Sequence, residues 1–185
     1  MRIIAGEYSS RKLETLKNKN TRPTLDKVRE AVFSSLGGMF DGGAVLDLYA
    51  GSGACGFEAL SRGMDQAVLV DISRAACGII KKNAASLRCE DRCRIFSMAD
   101  RKALELLAQE GVCFDLVYLD PPYEKQRNDE IMAYLDEHSL VKPGGKVVIE
   151  SLKEDTFADA YGDLKFTKES VYGIMKVRYY KNEAV

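Results

Sequence analysis

Several things are scarce in this chain. No run of about eighteen apolar residues occurs, so no segment spells a membrane-spanning helix. The start, "MRIIAGEYSSRK", is basic but has neither a long apolar stretch nor a small-residue cleavage site, so a secretory signal is excluded and a cytoplasmic protein without membrane contact is expected. The only histidine, His138, lies in the polar stretch "DEHSLVKPGG", where it is expected to be solvated. Cys89 and Cys93 are the one close cysteine pair; no second pair follows and His138 is far away, so no metal site is expected. The five cysteines are odd in number and scattered. Cys55, Cys77 and Cys113 sit in apolar-periodic segments, where a reduced thiol packs as a small hydrophobe and a reducing compartment suits it.

What is present suffices for one core. A chain of 185 residues, 46% hydrophobic and 30% charged, forms one sizeable domain with little left over. The expectation is a basic extension over residues 1–40 and a main domain over 41–185. The formal net charge of -1 hides a segregation: residues 1–29 hold eight basic and three acidic side chains, net +5. A basic arm on a mildly acidic body suits a polyanionic partner, and it equally suits a solvated extension.

Periodicity orders the rest. "RIIAGEY" and "RKLETL" read as a small β-hairpin, and Val28, Val32, Phe33 and Leu36 share one face of a helix over 25–36 with Thr24 as its N-cap. From residue 44 short apolar runs alternate with helical stretches. "AVLDLY", "QAVLVD", "RCRIFSM", "FDLVYLD" and "GKVVIES" read as strands, and the runs VLDLY, AVLV, LVYL and KVVIE within them are nearly continuous in apolar character, as strands covered on both faces should be. The tail pairs "KFTKESVYG" with "IMKVRYYK" across a glycine. The expected fold is α/β and Rossmann-like: a mostly parallel seven-stranded sheet with an antiparallel carboxyl-terminal strand, plus the amino-terminal hairpin and helix.

The stretch "LDLYAGSGACGFEAL" spells G-x-G-x-x-G with Gly51, Gly53 and Gly56 directly after a strand, where bare backbone can turn sharply and approach a ligand. Asp71 ends the next strand, placed to accept from ribose hydroxyls, a feature shared by NAD and S-adenosylmethionine sites. Asp47 separates the two. An acceptor-only carboxylate four residues ahead of Gly51 repels a pyrophosphate and suits the ammonium and positive sulfur of S-adenosylmethionine. A simple turn-capping role for Asp47 stays open. Asp100 opens the helix after "RIFSM", favourable for a helix dipole and equally placed to accept from an adenine amino group. Tyr49, Ser52 and Ile72 flank these positions and complete the candidate cofactor site.

"LVYLDPPYEK" carries the chemistry. Two prolines after Asp120 fix a rigid, extended exit from a strand. The Asp120 carboxylate and the Pro121 carbonyl can accept the two hydrogens of an amine conjugated to an aromatic ring, directing its lone pair at a methyl group. Pro122 holds the loop, and Tyr123 offers a face for a base to stack on. Catalysis would then be positioning and polarisation without a covalent intermediate. A proline-rich turn with a core tyrosine is the plain alternative. No proline precedes a cysteine, which excludes the Pro-Cys nucleophile of pyrimidine-carbon methyltransferases.

"MRIIAGEYSSRKL", "NTRPTLDKVREAVFSSL", "VLDLYAGSGACGFEALSRG" and "LDPPYE", in this order, resemble the RsmD-type family of bacterial 16S ribosomal RNA guanine-N2 methyltransferases from residue 1 to about residue 150. Thr21-Arg22-Pro23-Thr24 narrows the resemblance, because the DPPY loop alone also occurs in adenine amino-methyltransferases, the alternative activity. Asp71 and Tyr49 stand where family members often carry Glu and Phe. The resemblance implies S-adenosylmethionine as cofactor, Asp120 to Tyr123 over a flipped-out guanine, and RNA held by the basic arm through Arg2, Arg11, Lys12, Arg22 and Arg29 with Thr21, Pro23 and Thr24. It further implies 16S ribosomal RNA as partner, within an assembling small subunit, and a monomer is expected.

Overall fold

The computed structural model describes residues 1–16 and 23–185, with the side chains of Pro23 and Thr24 left out of the description. Thr21, Arg22 and the side chains of Pro23 and Thr24, all expected RNA contacts, therefore lie outside the described residues. Two compact units divide the chain, Met1–Asp100 and Arg101–Val185. No helix among the described residues is long and apolar enough to cross a membrane.

The first unit is built on three parallel strands in the order β3-β2-β1: β1 (Ala44–Asp47), β2 (Gln66–Asp71) and β3 (Cys93–Ser97). The apolar runs of β1 and β2 are buried almost without interruption, each enclosed Val or Leu contributing about 1.5–3 kcal/mol. β3 lies at the edge, and none of its five residues is fully buried. Helix α1 (Pro23–Ser35) starts one residue before Thr24, so a proline takes the position where its missing N–H costs nothing and Thr24 falls inside the first turn instead of capping it. Val28, Val32, Phe33 and Leu36 are all buried, as the helical face required. Helix α2 (Ala54–Ser61) follows β1, and α3 (Arg74–Leu87) follows β2 with the Ser73 hydroxyl accepting from the Ala76 N–H at 3.2 Å.

The amino-terminal segment closes as the expected hairpin, but a shorter one than its pattern predicts. A single antiparallel bridge joins Arg2 and Lys12, and no strand forms around it. Across the bridge Ile3 donates to the Arg11 carbonyl at 3.0 Å and Leu13 to the Met1 carbonyl at 2.9 Å, and further backbone donors of the segment are taken by α2. Ile4 and Ala5 donate to the two Glu58 carboxylate oxygens at 3.0 and 3.2 Å, Tyr8 donates to the Ser61 hydroxyl at 2.9 Å, and Glu7 donates to the Ser61 carbonyl at 2.8 Å. Ile3, Tyr8 and Leu13 are buried. The segment is thus a cover for α2, every residue of which except Cys55 is buried.

Helix α4 (Asp100–Glu110) begins at the last residue of the first unit. The second unit orders its strands β4-β5-β8-β7-β6. β4 (Phe114–Leu119) and β5 (Val141–Leu152) are parallel and linked by α5 (Asn128–Glu137). β8 (Met175–Asn182) runs antiparallel to β5 and to β7 (Leu164–Tyr172), the glycine between β7 and β8 being Gly173. A two-residue strand, β6 (Ala160–Tyr161), pairs with the start of β7 and brings the total among the described residues to eight, one beyond the expected seven. Two residues carry no period, which is why the pattern did not show it. The α/β class, with parallel strands followed by antiparallel carboxyl-terminal strands, is as expected.

Candidate active site

The carboxyl ends of β1, β2 and β3 lie side by side, and each carries a carboxylate at or just beyond its end. Asp47 closes β1 and is 3% exposed. Its Oδ2 accepts from the Gly56 N–H at 3.0 Å, in the first turn of α2. The turn between them needs its glycines: Gly51 and Gly53 have φ of 58° and 84°, and a Cβ on Gly53 would lie 2.5 Å from the Phe57 ring. A Cβ on Gly56 would lie 2.7 Å from Leu69.

Asp71 holds the same turn from β2. Its two oxygens accept from the N–H groups of Gly51 and Ser73, both at 2.9 Å. A carboxylate has about four acceptor sites, so two remain for hydroxyl donors. Ile72 follows at 75% exposure, an apolar side chain beside a carboxylate. Beyond β3, Asp100 accepts from the Tyr49 hydroxyl at 2.7 Å, so the β1 turn and the start of α4 are joined. The Ser52 carbonyl accepts from the Asn83 amide at 3.0 Å, and its hydroxyl lies 3.7 Å from the Met1 sulfur.

In the second unit the Asp-Pro-Pro-Tyr loop leaves the end of β4. Asp120 and Pro122 are exposed, Pro121 is buried, and Tyr123 is 40% exposed. Pro122 has φ -54° and ψ 132°, the extended form expected of the loop. Its carbonyl accepts from the Lys125 N–H at 3.0 Å. Partial burial raises the Tyr123 phenol above its ordinary pKa, and the carboxylates of Asp120 and Glu150 raise it further, so Tyr123 stays neutral.

A family model described as conserved hypothetical protein 95 matches residues 1–181. The chain belongs to this family. It is the RsmD-type family that the motifs resemble: ribosomal RNA small subunit methyltransferase D of Escherichia coli (strain K12) is 32% identical over 184 residues, covering 100% of this chain and 91% of that one. YlbH of Bacillus subtilis (strain 168) is 36% identical over 181 residues, 98% of each chain. The solved structure of yhhF from Escherichia coli superposes with a TM-score of 0.86 at 32% identity, over 100% of this chain and 99% of that one. The RsmD-type match therefore extends through the carboxyl-terminal strands, where the motifs alone were least distinct.

The residues of the first unit fit the cofactor of an RsmD-type methyltransferase. A dinucleotide site needs the positive end of the helix after the glycine turn for its pyrophosphate. Here Asp47 already occupies that helix end through the Gly56 N–H, and Asp71 and Asp100 add acceptor-only groups. Such a set attracts a cationic nucleoside and repels a pyrophosphate.

Arg29 is a correction to the expected RNA contacts. At 5% exposure, its Nε donates to Glu58 at 3.2 Å and its Nη2 to Asp26 at 3.2 Å and to the Arg2 carbonyl. Arg62 contacts the other Glu58 oxygen at 2.9 Å. A guanidinium enclosed this way fastens the amino-terminal segment to α1 and α2 and does not face a partner. Arg2, Arg11 and Lys12 are exposed. Glu150, 8% exposed and electrostatically coupled to Tyr123, was missed; its signal was the one used for Asp47, an acid within an apolar strand. Asn83, which also accepts from the Glu14 N–H at 2.8 Å, gave no signal inside a helical run.

Proposed function

We propose that this protein transfers a methyl group from S-adenosylmethionine to the exocyclic N2 of a guanine in 16S ribosomal RNA, acting as a monomer on the assembling small subunit in the cytoplasm. The observation that carries the reading is the Asp-Pro-Pro-Tyr loop, with Asp120 and Tyr123 accessible at the end of β4. The full-length relationship to ribosomal RNA small subunit methyltransferase D supports it.

When bound, the cofactor supplies a methyl on a positive sulfur. Asp47, Gly51, Ser52, Gly53 and Asp71 would hold it, together with Tyr49, Ile72 and Asp100. Asp120 accepts one amine hydrogen and the Pro121 carbonyl the other, which localises the nitrogen lone pair for attack. Tyr123, kept neutral, stacks on the guanine. The cofactor would supply the methyl to this lone pair, its S–C bond breaking as the N–C bond formed. Nitrogen then gives up one proton through Asp120 to solvent. Arg2, Arg11, Lys12 and Arg22, with Thr21, Pro23 and Thr24, hold the RNA strand that presents the base, which has to be unstacked to be reached.

The test is methyl transfer to small-subunit particles from cells lacking this protein, with the labelled nucleoside identified by mass spectrometry. N2-methylguanosine in 16S RNA is the expected product. Methyladenine in RNA or DNA, with no methylguanosine, would assign the loop to the adenine amino group instead.

A further inference from the structure

Helix α3 turns to solvent a face that neither the core nor the candidate cofactor site uses. Its fourteen residues include no acidic side chain. Arg74, Gly78, Lys81 and Ala85 recur at three- and four-residue spacing and form one exposed stripe, with Lys82 on its flank. Arg88, the exposed residue that ends the helix at φ 55°, adds a fourth cation. Among the described residues none of these four cations has an ion-pair partner, whereas Arg29, Arg62 and Arg92 are matched by Glu58 and Glu7.

The stripe is continuous with the amino-terminal segment. The Arg11 guanidinium donates to the Ser86 carbonyl at 2.7 Å, near the end of α3. Glu14 is the acidic residue of that segment beside α3, held by its backbone to Asn83. Cations at the end of a helix are favoured by its dipole, which accounts for Arg88 and Arg11 but gives nothing to Lys81 and Lys82 in the middle. Gly78 is equally unexplained by the fold. Glycine weakens a helix interior, and a Cβ there would meet nothing within 4 Å. Bare backbone between cations lets a partner come close to the helix surface.

We propose that α3, with Arg11, forms a second RNA surface that binds the sugar-phosphate backbone of the substrate through Arg74, Lys81, Lys82 and Arg88. The inference rests on the RNA reading above. From Arg74 to Arg88 the surface spans about 20 Å at the helical rise, long enough for several consecutive phosphates. Its start is fixed to the candidate cofactor site, because the Ser73 N–H that precedes it donates to Asp71. Contacts of this kind position RNA without reading its sequence.

The test compares the wild-type chain with Lys81→Gln/Lys82→Gln and with a control, Lys165→Gln/Lys181→Gln, whose lysines are exposed on β7 and β8. Binding of a full-length 16S RNA transcript is measured between about 50 and 200 mM salt. The α3 variant is expected to lose several-fold in affinity at low salt, and its log–log salt slope to fall by about one per lysine, with an unchanged melting temperature. The control should keep the wild-type slope. An α3 variant with the wild-type slope overturns the surface, as does an equal loss in both variants, which would mean diffuse attraction. A defect confined to particles, with naked RNA bound normally, would place a ribosomal protein against α3 and also overturn it. Methyl transfer on the same samples separates the two proposals. Methylguanosine with an unaltered salt slope defeats the surface alone, and adenine product with the slope lost defeats the guanine reading alone.

Discussion

Two carboxylates, Asp120 and Glu58, sit in opposite surroundings. Asp120 is exposed at a strand end, and its proposed partner is a substrate amine. Asp120→Ala should lower methyl transfer by about 10²–10³-fold, the scale of one positioned acceptor or donor, while calorimetry finds S-adenosylmethionine bound within a few-fold of wild type. Unchanged turnover would remove Asp120 from the chemistry. Glu58 is fully buried and contacts two guanidinium groups and two backbone donors. Glu58→Ala strands Arg29 and Arg62 as buried charges, so urea denaturation should show a loss of about 3–5 kcal/mol. A loss below about 1 kcal/mol, typical of surface pairs, would show that the site opens to water on mutation. Charge counting read residues 1–29 as one uniform arm because a count carries no direction. Arg29 belongs to the core network, Arg11 to the surface, and the sequence alone gives both the same sign.

Glycines expose what was legible at the level of elements and what was not. The strand-turn-helix unit around Gly53 was legible because local rules and the fold agree there: an apolar run, a bare turn, then a helical period. Gly53→Ala puts a methyl 2.5 Å from Phe57 at a φ of 84°, so both stability and S-adenosylmethionine affinity should fall together. Gly78→Ala is its opposite, adding a methyl to open space within α3, and the chain should gain about 1 kcal/mol. A thermal melt of the two variants separates the cases, and a fall in stability for Gly78→Ala would mean that the helix surface is packed against something. The amino-terminal hairpin closes as expected at Arg2 and Lys12, but it stays one bridge long, and most of its remaining backbone has a partner the pattern could not name. Apolar alternation in "RIIAGEY" states which side chains go inward, and it does not state which group satisfies the backbone. That partner turned out to be a glutamate and a serine of α2, more than fifty residues away. The loop after β4 is extended at Pro122 as expected, since proline geometry is local, but the turn over Tyr123–Lys125, whose Lys125 N–H occupies the Pro122 carbonyl, was not visible in it.

At the scale of the whole molecule, tyrosines tie both units to one pH response. Tyr8 in the first unit and Tyr123, Tyr161 and Tyr180 in the second all have phenol pKa values raised, and in each the largest cause is desolvation by burial. Tyr161 is raised further by its hydrogen bond to Asp129, and Tyr180 by the carboxylates of Asp159 and Asp129 against the opposing pull of Arg178. The folded chain therefore keeps these protons to higher pH than the unfolded chain, whose tyrosines ionise near the ordinary value of about 10. Below that value both states are protonated and the full stability is present. Above it the unfolded state releases protons that the folded state retains, so stability falls as pH rises toward the folded values. Lys142, raised by its hydrogen bond to Asp115, acts in the same direction. The urea midpoint should accordingly be flat from about pH 8 to 9.5 and fall beyond pH 10. Tyrosinate absorbance of the native protein should develop in two stages, exposed phenols first and the buried set only with unfolding. A midpoint that climbs through pH 11, or a single absorbance transition at the ordinary value, would mean that the rings of Tyr8 and Tyr180, buried here, are reached by water in the folded state.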